Sequence, residues 1–306
     1  MKSLRFVINL IAICVVATSA AYGAANRTWV SHTGKDSNAC TAVSPCLTFA
    51  GAYAKTNAGG EIDALDAGDF GPLDITKAIT VDGGSNQLAT IYEQPSVWYG
   101  INVNAGPSDI VTLRNLSIHG IYPTQTTTGT AGISVGSAQT VHIEHCVVTA
   151  FLTGISVISS SAVSIYVDDT IARDSSTNIE LSGNIIASIS NSNFSGGLTA
   201  WGVDIEGSNA QVTISNTVAN GNSEGLIITN ASAPVSTVYI ANSVFSNNAD
   251  AGVFASGAGV AVTLSNVSLF RNTNAGISIS GGASVTSFGN NANSGSGTPT
   301  GSIPLQ

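Results

Sequence analysis

Two adjacent carboxylates, Asp168 and Asp169, stand close to Arg173 in the segment SIYVDDTIARDSS at 164–176. Paired carboxylates can act as the acid and base of a glycosidase, or they can ligate a cation. They can equally belong to one turn of a repeating structure. The organisation of the whole chain decides between these interpretations.

A repeating unit that begins with Gly followed by Ile, Val or Leu covers most of the chain. Intervals of 22 to 24 residues recur between units, which suits a coil of three short strands and three turns; a propeller blade needs about 40 residues. The sequence therefore predicts an all-β solenoid, a parallel β-helix with three strands per coil. The units begin at Gly100, Gly132, Gly154, Asn178, Gly202, Gly225, Gly252 and Gly276.

Two columns of the aligned repeats carry this prediction. The first is nearly all Asn, a residue that tolerates the left-handed backbone of tight turns, and it contains Asn115, His145, Asp169, Asn191, Asn216, Asn242 and Asn266. The second lies three positions further on, is predicted to stack inside the solenoid, and contains Ile118, Val148, Ala172, Phe194, Ala219, Phe245 and Leu269. Asp169 therefore has a structural explanation, whereas Asp168 points outward by strand alternation.

Charged and aromatic side chains concentrate on the outward face of three neighbouring coils. One position before the Asn column lie Arg114, Glu144 and Asp168, which we predict as candidate catalytic residues. Three positions before it the column contains Thr112, His142, Tyr166, Ser188, Thr213, Tyr239 and Thr263.

Glu144 and Asp168 are suited to divide acid and base roles. The predicted substrate-binding residues are His142, Tyr166, His119 and Arg173, and the long insertion from Ile121 to Thr130 is expected to cover this face. The alternative is an ordinary solvated surface with an ion pair between Arg114 and Glu144, which contributes little to stability.

A second acidic group follows the repeat Gly of two coils. Glu180 and Asp204 occupy equivalent outward positions, and Glu206 lies two residues on. Carboxylate oxygens are ligands that Ca²⁺ prefers, so these residues are a candidate Ca²⁺ site without obvious completing ligands. No other cofactor is indicated.

The N-terminus has the pattern of a secretory signal peptide at 1–25. Lys2 and Arg5 precede an apolar run from Phe6 to Val16, and small residues follow. We expect a secreted, periplasmic or cell-surface protein. Outside this segment no apolar run approaches the roughly 20 residues of a membrane-spanning helix, so no membrane insertion is expected.

The charge balance excludes one class of partner. Removal of Lys2 and Arg5 leaves seven basic residues against 18 acidic ones, a formal net charge of −11. Nucleic acid is therefore not an expected partner, because affinity for phosphate needs a basic surface.

The cysteines of an exported chain predict one local disulfide. Cys40 and Cys46 flank a short loop and are expected to pair, whereas Cys146 stands alone and is expected to be buried and reduced.

A solenoid must cover its terminal coil, and an amphipathic segment from Thr48 to Ala54 is the predicted N-terminal capping helix. The predicted organisation after the signal is a cap and first strand at 26–60, a parallel β-helix at 61–290 and a flexible tail at 291–306.

The motifs V-S-x-x-G-x-D-x-N at 30–38, P-C-x-T-F at 45–49 and G-G-E-I at 59–62, together with the Asn column, resemble secreted bacterial proteins of the pectate-lyase-like superfamily. The resemblance covers about residues 28 to 290 and implies a right-handed parallel β-helix. That superfamily includes polysaccharide lyases, hydrolases, epimerases and adhesins. The N-T-D and R-I-K motifs of polygalacturonase-type hydrolases are absent, and no lyase signature matches residue by residue.

Three functional classes remain open. The first, placed ahead because enzyme motifs are missing, is a module that binds extracellular or cell-wall polysaccharide. The second is a carbohydrate-active enzyme, a polysaccharide lyase or glycoside hydrolase. The third is a surface adhesin or structural spacer.

Overall fold

The computed structural model describes residues 24–85, 89–92, 98–121, 131–197, 199–207, 209–231 and 233–304. The predicted signal peptide falls almost wholly outside this range. No helix in the described part of the chain has the length and apolar character needed to cross a membrane.

The described chain consists of short strands and one short helix. The N-terminal elements are β1 (Ala25–Val30), α1 (Phe49–Tyr53), β2 (Thr56–Ala64), β3 (Gly68–Asp69), β4 (Leu73–Ile75), β5 (Ile79–Asp82) and β6 (Ala89–Tyr92). The central coils contain β7 (Tyr99–Asn104), β8 (Ile110–Arg114), β9 (Leu116–His119), β10 (Ala131–Ser137), β11 (Thr140–Glu144), β12 (Val147–Thr149), β13 (Thr153–Asp168), β14 (Ile171–Arg173), β15 (Thr177–Ser190) and β16 (Asn193–Ser195). The last coils contain β17 (Trp201–Glu206), β18 (Gln211–Ser215), β19 (Val218–Asn220), β20 (Glu224–Thr229), β21 (Ser236–Ala241), β22 (Val244–Ser246), β23 (Ala251–Ser256), β24 (Val260–Ser265), β25 (Ser268–Phe270), β26 (Ala275–Ser280), β27 (Ser284–Ser287), β28 (Ala292–Asn293) and β29 (Gly301–Ser302).

Each regular coil contributes one strand to each of three parallel sheets. Sheet A contains β4, β7, β10, the first parts of β13 and β15, β17, β20, β23 and β26. Sheet B contains β1, β2, β5, β8, β11, the last parts of β13 and β15, β18, β21, β24, β27 and β29. Sheet C contains β3, β6, β9, β12, β14, β16, β19, β22, β25 and β28. The prediction of an all-β parallel β-helix with three strands per coil is confirmed.

The Asn column forms the tight turn between sheets B and C. All seven predicted members have left-handed backbone angles, with φ between 45° and 58°. Their side chains form only parts of a ladder, as between Asn266 Nδ2 and Asn242 Oδ1 at 2.8 Å. The turn therefore depends first on backbone conformation, which Asn adopts more readily than other non-glycine residues.

The predicted internal stack is also confirmed. All seven side chains, from Ile118 to Leu269, are fully buried, and they pair in register from β9 to β25.

A second, buried Asn ladder lies at the turn between sheets C and A. Asn248 Oδ1 accepts hydrogen bonds from the backbone N–H and Nδ2 of Asn222, and Asn248 Nδ2 donates to Asn272 Oδ1 at 2.9 Å. Asn178 joins it through Asn222. These amides satisfy backbone groups that would otherwise be buried without partners.

The N-terminal cap is built around α1, as predicted. Thr48 Oγ1 caps this helix by accepting from Gly51 N at 2.9 Å, and the ring of Phe49 packs against Phe70. The disulfide between Cys40 and Cys46 is present and Cys146 is buried and free, so both cysteine predictions are confirmed.

At the other end, β28 and β29 lie within the segment 291–306 that was predicted as a tail. β28 pairs with β25 and β29 pairs with β27.

Candidate functional site

Sheet B brings the three candidate catalytic residues into one outward column. Arg114 lies opposite Glu144 on the neighbouring strand, and Glu144 lies opposite Asp168 on the next one. Neighbouring strands are separated by about 4.8 Å, so the three side chains follow one another along the solenoid axis.

Arg114 is held by acids from the first coils. Its Nη2 lies 2.6 Å from Glu61 Oε1, and its Nε lies 2.8 Å from Asp82 Oδ2. Burial opposes its charge, but the hydrogen bond and charge of Asp82 outweigh burial and raise the pKa of Arg114. The ion pairs of Arg114 are thus with Glu61 and Asp82, whereas the alternative expected one with Glu144. Asp82 on β5 and Glu144 on β11 both lie opposite Arg114, and the side chain turns towards β5. A guanidinium in this state is not a proton acceptor.

The sequence alignment missed this ion-pair network because the first coils lack the repeat Gly. Asp63 also belongs to it and pairs with Arg27. Within the described ranges, Glu61, Asp63 and Asp82 form the one group of three acidic, His or Cys residues whose ligand atoms lie within 4.8 Å of one another. Each of these three carboxylates is already paired with one of two arginines, Arg27 or Arg114, so the geometry favours ion pairing over metal binding.

Asp168 is held as a carboxylate. Its Oδ1 accepts hydrogen bonds from Ser190 Oγ at 2.6 Å and from Asn191 Nδ2 at 2.8 Å. The Ser190 hydrogen bond is the main cause that lowers the pKa of Asp168. At neutral pH this group is therefore an anion that accepts hydrogen bonds, and it is poorly suited to donate a proton.

His142 and Tyr166 form a stacked pair on the same face. Their ring centroids are 4.9 Å apart with an angle of 12° between the planes, and Tyr166 is 44% exposed. His142 Nδ1 lies 3.7 Å from Glu144 Oε1, so a protonated His142 pairs with this carboxylate. The column thus combines an aromatic surface with hydrogen-bond acceptors.

A groove of about 390 Å³ begins on the side of Tyr166 away from His142. It continues over Ser188 and Thr213 to Tyr239, which is 40% exposed. Its volume is within the range of roughly 300–1,000 Å³ that ligand pockets occupy. The sequence placed Tyr239 in this column without assigning it to the site, although the recurrence of Tyr at 166 and 239 was a usable signal.

His119 and Arg173 lie on a different face. They belong to the outward side of sheet C, in register with Thr149 between them. The ring of His119 stacks on Tyr92 with centroids 5.3 Å apart, and burial followed by the charge of Arg173 lowers the pKa of His119. The turn at the Asn column separates these two residues from the sheet B face.

The long insertion leaves the helix after sheet C and re-enters it at sheet A. Its ends are Ile121, just beyond β9, and Ala131, the first residue of β10; residues 122–130 lie outside the described range. These ends lie at the corner between sheets C and A, and sheet B does not border this corner. The expectation that the insertion covers the Tyr166 face gains no support from this placement.

Sheet A carries the second acidic group. Glu180 and Asp204 are register partners, and Glu206 lies opposite Ser182, as the sequence indicated. Asp204 is nevertheless only 3% exposed, and its Oδ1 has no hydrogen-bond partner. Burial, then the charges of Glu206, Glu180 and Glu224, raise the pKa of Asp204 to about 8.

The pKa of Glu180 is raised by burial and by Glu206. The ligand atoms of Glu180, Asp204 and Glu206 do not all lie within 4.8 Å of one another. Those of the group that contains Asp82 do. Ca²⁺ binding by these three residues stays a prediction. Glu180 also lines a groove of about 480 Å³ on sheet A, together with Tyr99, Asn102, Ser134 and Ser156.

The three-sheet solenoid with an outward groove defines a β-helix protein. The family model described as right handed beta helix region matches residues 99–268, more than half of the chain, and the chain belongs to this family. No curated protein matches the chain in sequence.

Two solved structures share the fold. Pectate lyase Pel9A has 17% sequence identity and a TM-score of 0.64, with 94% of this chain and 80% of that chain covered. A rhamnogalacturonan lyase has 11% identity and a TM-score of 0.55, with 79% of this chain and 74% of that chain covered. At these identities the likeness shows the fold alone.

Proposed function

We propose that this protein is exported and binds polysaccharide on the face of sheet B. The observation that carries the proposal is the stacked pair of the half-buried His142 and the exposed Tyr166, beside which the groove towards Tyr239 begins. Sugar rings pack on aromatic side chains and exchange hydrogen bonds with polar groups around them. The two fold relatives are named as lyases of pectate and of rhamnogalacturonan, which supports a polysaccharide ligand.

The side chains of the site have distinct roles in this proposal. Tyr166 is the stacking surface, and Asp168 and Glu144 accept hydrogen bonds from sugar hydroxyls. The ion pairs that Arg114 makes with Glu61 and Asp82 hold its positive charge in place next to Glu144. Export is proposed from the signal sequence at 1–25.

A polysaccharide panel tests the proposal, with binding measured by calorimetry and with reducing ends and unsaturated uronates measured in the same samples. Tyr166→Ala is expected to weaken binding by roughly ten- to a hundredfold, as truncation of a central aromatic anchor does. Tyr92→Ala is the matched control, because Tyr92 also stacks on a histidine but lies on sheet C. Loss of binding in Tyr92→Ala alone would move the site to the face of His119 and Arg173.

The double variant Glu144→Gln, Asp168→Asn separates binding from catalysis at this face. Loss of cleavage with binding retained favours an enzyme that uses these two carboxylates. Weakened binding without cleavage in either protein favours a binding module. Normal binding in the variant would show that these two carboxylates do not hold the ligand, and Tyr166→Ala then decides whether the site lies on this face.

The second candidate function is a carbohydrate-active enzyme that works on sheet A. The observation that favours it is the buried carboxyl group of Asp204, which lies beside Glu180. Glu180 in turn lines the groove on sheet A. With a pKa of about 8, Asp204 keeps its proton at neutral pH, as a general acid must. Asp204→Asn would then abolish the release of reducing ends while binding at Tyr166 persists. A chain without glycan binding or cleavage would be left with the role of adhesin or spacer.

A further inference from the structure

The groove between Tyr166 and Tyr239 is lined by uncharged side chains. Its polar groups are the amide of Gln211, the hydroxyls of the two tyrosines and the hydroxyls of Ser188, Thr213, Thr237 and Thr263. Ile186 adds an apolar surface and is 50% exposed. Hydroxyl and amide groups can both donate and accept hydrogen bonds, which matches the hydroxyl groups of a sugar.

Both tyrosines line a trough that is longer than one sugar ring and continues past Tyr239 to Thr263. Register pairs place Ser188 and Thr213 between Tyr166 and Tyr239. The two tyrosines are thus three strands apart, about 14 Å at the usual strand spacing. His142 covers one face of the Tyr166 ring, so the other face is directed into the trough. This geometry suits a short saccharide segment held between the two rings.

The charges next to the trough are negative. Asp168 lies two residues beyond Tyr166 on the same strand face, and its carboxylate is stabilised by Ser190 and Asn191. Glu144 precedes Asp168 in the same column. The guanidinium of Arg114, the cation of this column, is paired with Glu61 and Asp82.

An acidic polysaccharide carries a carboxylate on many of its sugars. Each carboxylate brought into the groove loses water and needs a cationic partner, which the lining does not supply. The neighbouring carboxylates add repulsion, and the whole chain has a formal net charge of −9. An uncharged polysaccharide binds without the desolvation of a carboxylate and without this repulsion.

We propose that the groove from Tyr166 to Tyr239 selects uncharged polysaccharide and discriminates against polyuronates. This inference rests on the proposed function and adds its ligand class. It also assigns Tyr239, Ser188 and Thr213 as binding residues.

The test uses two ligands with the same sugar backbone, fully methyl-esterified homogalacturonan, which is uncharged, and the same polymer with its esters removed, which carries carboxylates. Neutral glucan, xylan, mannan and galactan and acidic alginate complete the panel, with EDTA present to exclude bridging by divalent cations. The best ligand is expected to be neutral and to bind at least about tenfold more tightly than any polyuronate, with binding lost in both Tyr166→Ala and Tyr239→Ala.

Thr213→Lys introduces a cation on the floor of the trough. It is expected to raise affinity for the polyuronate and to lower affinity for the neutral ligand. Thr286→Lys is the matched control, because Thr286 lies in the same column beyond the groove. It is expected to change neither affinity by more than about twofold.

Each outcome has one meaning. A neutral best ligand that depends on both tyrosines supports the inference. A polyuronate as the best ligand, lost with Tyr166→Ala, overturns the inference and leaves the proposed function standing. A neutral ligand bound normally by both tyrosine variants overturns the assignment of this groove. Absence of binding to the whole panel overturns the proposed function and the inference together.

Discussion

Glu180 and Asp204 lie directly opposite each other on β15 and β17, so the buried carboxyl group of Asp204 has a half-buried one beside it on sheet A. Burial is the main cause that raises the pKa of each group, and nearby acidic charges add to it. Sheet A therefore contains acids that favour their protonated form, whereas Asp168 on sheet B favours its ionised form. The same solenoid thus contains one environment that raises the pKa of carboxyl groups and another that lowers it.

This difference predicts a pH dependence of stability. The folded protein binds the Asp204 proton more tightly than the unfolded chain, with a pKa of about 8 against 3.8. The free energy of unfolding is therefore expected to fall as the pH rises from about 4 to about 8 and to level off above this window. Asp204→Asn should flatten the dependence and stabilise the protein at pH 8.5 by on the order of a few kcal/mol. Urea unfolding from pH 5 to pH 9 measures both effects.

The control for this experiment is Asp174→Asn. Asp174 is exposed, and its left-handed backbone accommodates Asn. The control should leave the pH dependence unchanged, and an Asp204→Asn variant with the slope of the wild type would contradict the assignment.

The internal stack predicts a large difference between two phenylalanines of neighbouring coils. Phe245 is fully buried between Ala219 and Leu269, whereas Phe270 is 43% exposed on the outside of sheet C. Phe245→Ala should lower the free energy of unfolding by about 3–5 kcal/mol because it leaves a cavity in the core. Phe270→Ala should cost less than about 1 kcal/mol. Guanidinium denaturation of both variants checks this, and equal losses would contradict the stack.

The Asn turns predict an unusual ranking of substitutions. Asn216 has φ of 49°, which costs other L-residues about 1–2 kcal/mol and costs glycine almost nothing. Asn216→Ala should therefore be less stable than Asn216→Gly, the reverse of the order expected within a strand. Thermal unfolding of the two variants decides this, and Ala above Gly would show that the turn does not depend on backbone conformation.

The buried thiol predicts a defined reactivity pattern. Burial raises the pKa of Cys146 to about 12, so the thiolate is scarce at pH 8. For the chain from residue 26 onwards, a thiol reagent should label no cysteine in the native protein and one after unfolding in denaturant. Two more thiols should appear after reduction of the Cys40 and Cys46 disulfide. Rapid labelling of the native protein would show that the coil around Cys146 opens.

Contacts that recur in every coil followed from the sequence. The Asn turn, the internal stack and the three-strand coil each repeat with the Gly period, so aligned repeats place their residues without any knowledge of distances. The buried ladder of Asn222, Asn248 and Asn272 had a comparable signal in the sequence, because an Asn stands three or four residues before the repeat Gly of the last three units.

The functional face needed the tertiary structure at the points where the period fails. The sequence identified Arg114, Glu144 and Asp168 as neighbours, but the one ion-pair partner that it offered for Arg114 was Glu144. The first coils lack the repeat Gly, and only the pairing of β2, β5 and β8 brings Glu61 and Asp82 to Arg114. Such contacts span 53 and 32 residues and depend on the lengths of irregular turns, which local sequence does not encode.

By itself, then, the sequence determined the solenoid and its inward and outward columns, because strand alternation and coil period are local properties. It also determined the disulfide, because Cys40 and Cys46 are only six residues apart. The tertiary structure decided which outward residues act together. It showed a groove that runs from Tyr166 past Tyr239 to Thr263, a buried acid at Asp204 and a separate face for His119 and Arg173. The physical reason is that burial and electrostatic environment arise from all neighbouring coils at once, and a single column of the alignment contains no information about the coils that cover it.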